Sequence, residues 1–291
     1  MKAPATAGAK LVAFGTGLAV LFAGSLGVAR AVSPDGLARR GADGMHDSSH
    51  AQHGSTDMSG ATATGAALLP GLASTQDGYR FMPEATTLAS GPATPFRFRI
   101  DGPDGHPVRS FEALHERQLH LIVVRRDLSG FQHVHPARTA DGTWSVSLDL
   151  PRGGTWRAFA DFAPTGGPQQ LTLAVDLQVP GDFVPSQGPT AANPVEEGTV
   201  VRFEHDGGEI AVTVVRDGRA VLPEPYLGAR GHLVAIRVGD LAYLHVHPEA
   251  GDNPTVRFGV DLPAPGIYAL FFDHQVGGVV RTATSTLEVR T

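Results

Sequence analysis

Two copies of one tetrapeptide, His133-Val134-His135-Pro136 and His245-Val246-His247-Pro248, occupy the same place in two longer units of this chain. His120-Leu121-Ile122-Val123-Val124-Arg125 leads into the first copy, and His232-Leu233-Val234-Ala235-Ile236-Arg237 leads into the second. The offset is 112 residues throughout. It persists downstream, where Leu148-Asp149-Leu150-Pro151 answers Val260-Asp261-Leu262-Pro263, Trp156 answers Tyr268 and Asp161 answers Asp273. Self-similarity over so long a stretch means a duplicated domain, so a fold that suits one half must suit the other.

A length of 291 residues agrees with two domains on a prior of about 150 residues each. The 36 Gly and 22 Pro imply many turns and short elements, which favours an all-β architecture. There is no cysteine, which excludes disulfides and thiolate metal sites and leaves His, Asp, Glu and Met as the only metal ligands. The formal net charge of −6 comes without a basic patch, so nucleic acid is not an expected partner.

Lys2 and Lys10 precede an uncharged apolar run over residues 11–29, and Ala29-Arg30-Ala31 has the small-x-small form of a cleavage site. Residues 1–31 therefore read as a signal peptide or membrane anchor that places the rest of the chain outside the cytoplasm, secreted or held at the membrane. Residues 32–77 are rich in Gly, Ala, Ser and Thr, too poor in large apolar side chains to form a core, and read as a flexible linker. Met45, His46, His50, His53 and Met58 within it form a candidate clamp for a borderline or soft cation, weighed against a solvated linker with chance histidines.

The first folded domain is expected over 78–181, a second linker over 182–198 and the second domain over 199–291. In each, about seven short runs of apolar and alternating residues are bounded by Gly, Pro or Asp-Gly turns, the pattern of an immunoglobulin-like β-sandwich. Residues 119–126 run almost continuously apolar, as in a strand covered on both faces. If Asp127-Leu128-Ser129-Gly130 closes a hairpin pairing Arg126 with Phe131, then Val124 faces His133 and Ile122 faces His135. His120 then lies one step beyond on the same face, because strand side chains alternate with period two. The same geometry gathers His232, His245 and His247.

Three imidazoles on one face are a set of ligands for Cu or Zn, and Asp161 or Asp273 on a later strand supplies a fourth ligand or orients a ring. Each domain is thus expected to hold its own ion, copper ahead of zinc by the Irving–Williams order, with the ion buffered or delivered at the cell surface. His274 is an extra candidate in the second domain and His115 in the first. His106 and His205 sit beside turns and receive no role. Against this stands a structural reading: Pro136 and Pro248 lack a ladder donor, so each H-x-H-P also reads as the end of an edge strand with its rings bonded to loop carbonyls. The chain then becomes an extracytoplasmic interaction module that docks a membrane transporter or cell-envelope protein.

No enzymatic pattern is complete. Copper–zinc superoxide dismutase shares the H-x-H but needs more downstream histidines and a disulfide, whereas residues 137–199 contain no histidine. Cupins need a glutamate a few residues after H-x-H, and Ala137 stands there in the first copy.

The stretch from His120 to Pro136, followed by Asp141-Gly142-Thr143-Trp144 and Arg157-Ala158-Phe159-Ala160-Asp161-Phe162, resembles a group of exported actinobacterial proteins of the uncharacterised secreted or heavy-metal-binding type. Residues 226–233 and 243–248 resemble that group's second half. The resemblance covers residues 78–290 and implies an extracytoplasmic β-sandwich concerned with metals. It is looser to copper-resistance sandwiches of the CopC type, whose ligands are also His and Asp.

Overall fold

The computed structural model describes residues 69–186, 188, 198–206, 208–246, 248–249, 251–260, 262 and 264–290. Residues 64–291 form one compact unit. The leader read over 1–31 lies outside the described residues, and among those described no helix is long and apolar enough to cross a membrane.

The structure is all β, as expected. The first half contains β1 (Thr75–Gln76), β2 (Tyr79–Pro83), β3 (Gly91–Asp101), β4 (Leu119–Arg125), β5 (Gln132–Val134), β6 (Ala137–Arg138), β7 (Trp144–Leu150), β8 (Gly154–Phe162) and β9 (Leu171–Val179). The second contains β10 (Thr199–Asp206), β11 (Glu209–Arg216), β12 (Arg219–Val221), β13 (His232–Arg237), β14 (Tyr243–Val246), β15 (Thr255–Gly259), β16 (Gly266–Val276) and β17 (Val279–Val289). Each half is a sandwich of two antiparallel sheets. The first has orders β1-β2-β3-β7-β6 and β5-β4-β8-β9; the second has β10-β11-β12, with β15 also on β11, and β14-β13-β16-β17.

Period-two alternation explains the cores. Phe96, Phe98 and Ile100 on β3 turn inward while Pro95 and Arg97 stay exposed, and they meet Leu119, Leu121 and Val123 of β4 and Leu173 of β9. In the second half Ile210, Val212 and Phe258 meet Leu233, Ala235, Leu270 and Phe272 in the same manner.

The continuous burial of β4 has a second cause. Its other face, with Ile122 and Val124, packs against Val234 and Ile236 of β13, Tyr243 of β14 and Phe271 of β16, so the two sandwiches are joined sheet to sheet through a third apolar core. The joint obeys the repeat. Phe131 stacks on Phe271 at 4.1 Å between centroids, and their counterparts Tyr243 and Phe159 stack on each other at 4.9 Å. A contact from i to j is thus mirrored by one between their counterparts, which is an approximate twofold relation.

Residues at the described ends of both expected linkers are fastened to the sandwiches. Pro70 accepts a hydrogen bond from the Tyr243 amide at 2.9 Å, and Arg157 of β8 donates to the Gly71 carbonyl at 2.8 Å. Gly71 has φ +73°, and a Cβ there would lie 2.7 Å from Tyr243 Cβ and 2.8 Å from Phe159 Cδ1, so only glycine fits this wedge. At the other end, the fully buried Arg125 donates to the Val184 carbonyl, and Asp127 accepts the Ser186 amide, fastening residues 182–186 to the first sandwich.

Candidate metal centre

β4 and β5 build the centre. The observed register is Ile122 opposite His133 and Leu121 opposite Val134, two residues away from the tight hairpin expected from sequence. The loop is wider because Leu128 returns its amide to the Arg125 carbonyl, the Arg125 amide bonds the Ser129 carbonyl, and the Arg125 guanidinium grips Asp127. A slip of two preserves the face, so His120, His133 and His135 still converge. Pro136 cannot continue the ladder, and β5 ends at Val134 on the sheet edge with His135 just beyond it.

One nitrogen from each of the three rings lies within 4.8 Å of the other two. His120 Nδ1 is 2.9 Å from His133 Nε2 and 3.2 Å from His135 Nε2. The outer nitrogens settle the tautomers. His120 Nε2–H donates to the Leu114 carbonyl at 2.8 Å, and His133 Nδ1–H donates to Asp273 Oδ2 at 2.7 Å, since neither oxygen can donate. His120 Nδ1 and His133 Nε2 thus face each other at 2.9 Å with their other ring nitrogens already engaged, an arrangement in which a proton or a bound cation joins the two.

Asp273 belongs to the second sandwich. The repeat alone pairs each domain's histidines with that domain's own aspartate; the structure instead gives His133 the aspartate of the other half, because the face that carries the rings is the face buried in the joint. Asp161 lies opposite His120 in the β4–β8 ladder and accepts from Gln170 Nε2 at 2.8 Å. His232, opposite Asp273 in the β13–β16 ladder, repeats the first-half clamp by donating Nε2–H to the Tyr226 carbonyl at 2.9 Å, Tyr226 being the counterpart of Leu114. Its ring lies 6.0 Å from that of His133 and 6.4 Å from that of His120, so the rings of both halves form one cluster.

The backbone places His245 opposite Val234 in β14; its side chain, and the whole of His247, lie outside the described residues. Met45, His46, His50, His53 and Met58 also lie outside them. His115 stands at the rim of the cluster, 5.6 Å from His232. His274 does not join it: the ring points into the second sandwich and stacks on Phe272 at 5.2 Å.

Burial lowers the pKa of three of the clustered rings. It pushes His135 down to about 3, helped by the positive potentials of His133, Arg117 and His232 and opposed by Asp273. It pushes His232 down to about 4 despite the Tyr226 hydrogen bond, with His133 and His115 adding to the fall. His115 is lowered by the same desolvation, against Asp161. These rings are neutral near pH 7, the form that binds metals. Burial alone would raise Asp273, but hydrogen bonds from His133 and Thr282 and the nearby His133 and His232 hold it below the ordinary carboxylate value.

A family described as a domain of unknown function (DUF8832) matches residues 74–181 and 201–291. The chain belongs to DUF8832. No curated protein matches its sequence. Solved structures similar to this DUF8832 chain include the BSP domain of a biofilm-associated protein, at 16% identity and TM-score 0.23, covering 72% of this chain and 29% of that one. The Escherichia coli adhesin FdeC matches at 14% identity and TM-score 0.27, covering 75% and 65%. A chimeric titin Z1Z2 tandem matches at 14% and 0.20, covering 73% and 100%. The chain thus spans less than a third of the first of these and just under two thirds of the second.

Proposed function

We propose that this DUF8832 chain is an exported transition-metal-binding protein built from two immunoglobulin-like sandwiches, holding copper in preference to zinc for buffering or delivery at the cell surface. The observation that supports this most is that His120 Nδ1 lies within hydrogen-bond distance of both His133 Nε2 and His135 Nε2 while the outer nitrogens of His120 and His133 are occupied by Leu114 and Asp273. A carboxylate behind a ligating imidazole is the usual arrangement at metal centres, where it fixes the ring and raises its basicity. Nitrogen and oxygen donors without thiolate favour Cu(II) over Zn(II). The ion would be held by the first sandwich and oriented from the second.

Calorimetric titration of the full chain with Cu(II) and with Zn(II) tests this. One tight Cu(II) site should disappear in His120→Ala/His133→Ala and persist when Met45, His46, His50, His53 and Met58 are all replaced by Ala. Loss in the second variant alone would move binding to the segment before the sandwiches. Absence of binding in the parent chain would leave the histidines as structural groups of an interaction module.

A further inference from the structure

Two clefts of ≈ 370 Å³ each adjoin the histidine cluster, and the repeat relates them. Arg117, Pro136 and Trp144 line the first, next to His135; their counterparts Ala229, Pro248 and Val256 line the second, next to His115. The clefts differ in charge. Arg117 and Arg138 of the first stand where the second half has Ala229 and Ala250. The second cleft has its own arginines, but carboxylates engage them: Arg230 pairs with Asp252 at 2.7 Å and Arg257 with Glu209.

In the first cleft no ion pair forms on either arginine among the described residues. The Arg138 guanidinium lies 5.6 Å over both Phe111 and Trp144, and it meets Gln118 Oε1 at 3.4 Å. Its Nε and the Trp144 Nε1 are buried without hydrogen-bond partners among the described residues. Glu116, the acid that also lines this cleft, directs its carboxylate toward Gly228 of the second sandwich.

Two guanidiniums with no acid paired to them among the described residues draw an anion into the first cleft beside the imidazoles. Three protein imidazoles also leave a coordination position for an outside ligand. Both conditions are met by one occupant. We propose that the first cleft binds a small oxyanion, carboxylate or inorganic, that bridges Arg117 and Arg138 and ligates the ion on His120, His133 and His135. Guanidinium recognises paired oxygens through its planar fork, which a lysine ammonium does not reproduce. This rests on the ion-binding reading above.

The test uses the full chain loaded with Cu(II), titrated with acetate in one arm and inorganic phosphate in the other, and followed by the visible and electron-paramagnetic spectra of the copper. At least one arm should give a saturable change, and which arm responds identifies carboxylate or inorganic anion. The midpoint should rise about tenfold in Arg117→Gln and again in Arg138→Lys, which keeps the charge and much of the packing on Trp144. It should stay put in Arg230→Gln. No saturable change in either arm, or equal midpoints in the parent and both first-cleft variants, overturns the proposal while leaving copper binding intact. Failure of the parent chain to take up Cu(II) overturns the ion reading and this one with it.

Discussion

In the first sandwich Leu114 clamps His120 at 2.8 Å, and in the second Tyr226 clamps His232 at 2.9 Å, yet a few residues away the halves share little. His115 faces Leu227 across the repeat, Phe162 faces His274, and Arg117 faces Ala229. The agreement follows the joint. Residues that meet the other sandwich must fit a surface built from their own counterparts, so a change in one copy disturbs contacts of both. Arg117 and Arg138 in the first cleft form no ion pair among the described residues, and there the copies have taken different charges. The comparison therefore separates what the joint requires from what one copy alone carries.

The largest expected effect comes from removing the joint itself. Phe271→Ala deletes the partner of Phe131 from a buried core, and should lower unfolding stability by about 3–5 kcal/mol. Urea denaturation measures it. A loss below about 1 kcal/mol would mean that the sandwiches are not packed as tightly as a domain interior.

Asp273→Asn comes next and tests whether the halves share one centre. Removing a carboxylate behind a ligating imidazole costs roughly 10–100-fold in metal affinity, so Cu(II) should bind that much more weakly although no first-sandwich residue has changed. Titration of the full chain with Cu(II) decides it, with the apo melting temperature recorded alongside. Unchanged affinity would return the site to the first sandwich alone.

Much of this was legible in the sequence, and what was not has physical causes. The 112-residue offset, the strand pattern and the shared face of His120, His133 and His135 could all be read from periodicity, because alternation survives an even slip in register. The slip itself depends on the Arg125–Asp127 grip and the turn hydrogen bonds, which the Asp-Leu-Ser-Gly motif does not announce. The His133–Asp273 contact was hidden for another reason: the apolar run on β4 showed that both faces were covered, but not that the second sandwich did the covering. The first copy's Arg117 and Arg138 opposite Ala229 and Ala250 were visible as a difference between the halves, and only the cleft gave them a place.

A smaller effect follows from acid. His135 and His232 fall to about 3 and about 4 in the fold, against about 6.5 in the unfolded chain. Between those values the unfolded state binds more protons, so acid favours unfolding. The stability that depends on neutral rings is fully present above about pH 6.5 and is lost as pH falls toward 4 and then 3. The metal-free chain should melt at a lower temperature at pH 5 than at pH 7.5, and His232→Asn should flatten the difference. A parent melting temperature unchanged down to pH 4.5 would show that the cluster accepts protons without cost.

The smallest effect is the finest test of the twofold relation. Phe131 on Phe271 and Tyr243 on Phe159 are the same contact drawn twice, at 4.1 Å and 6° between planes in one and 4.9 Å and 23° in the other. Offset aromatic stacking contributes about 0.5–1.5 kcal/mol beyond area burial. Double-mutant cycles with Leu at both members of each pair remove the stacking and keep most of the apolar volume, so the coupling energy isolates the ring contact. Both cycles should give favourable coupling in that range, agreeing within about 0.5 kcal/mol. A coupling near zero for Tyr243 with Phe159 beside a full value for Phe131 with Phe271 would make the joint lopsided, with Phe131 and Phe271 holding it and Tyr243 serving chiefly to seat Pro70 and Gly71.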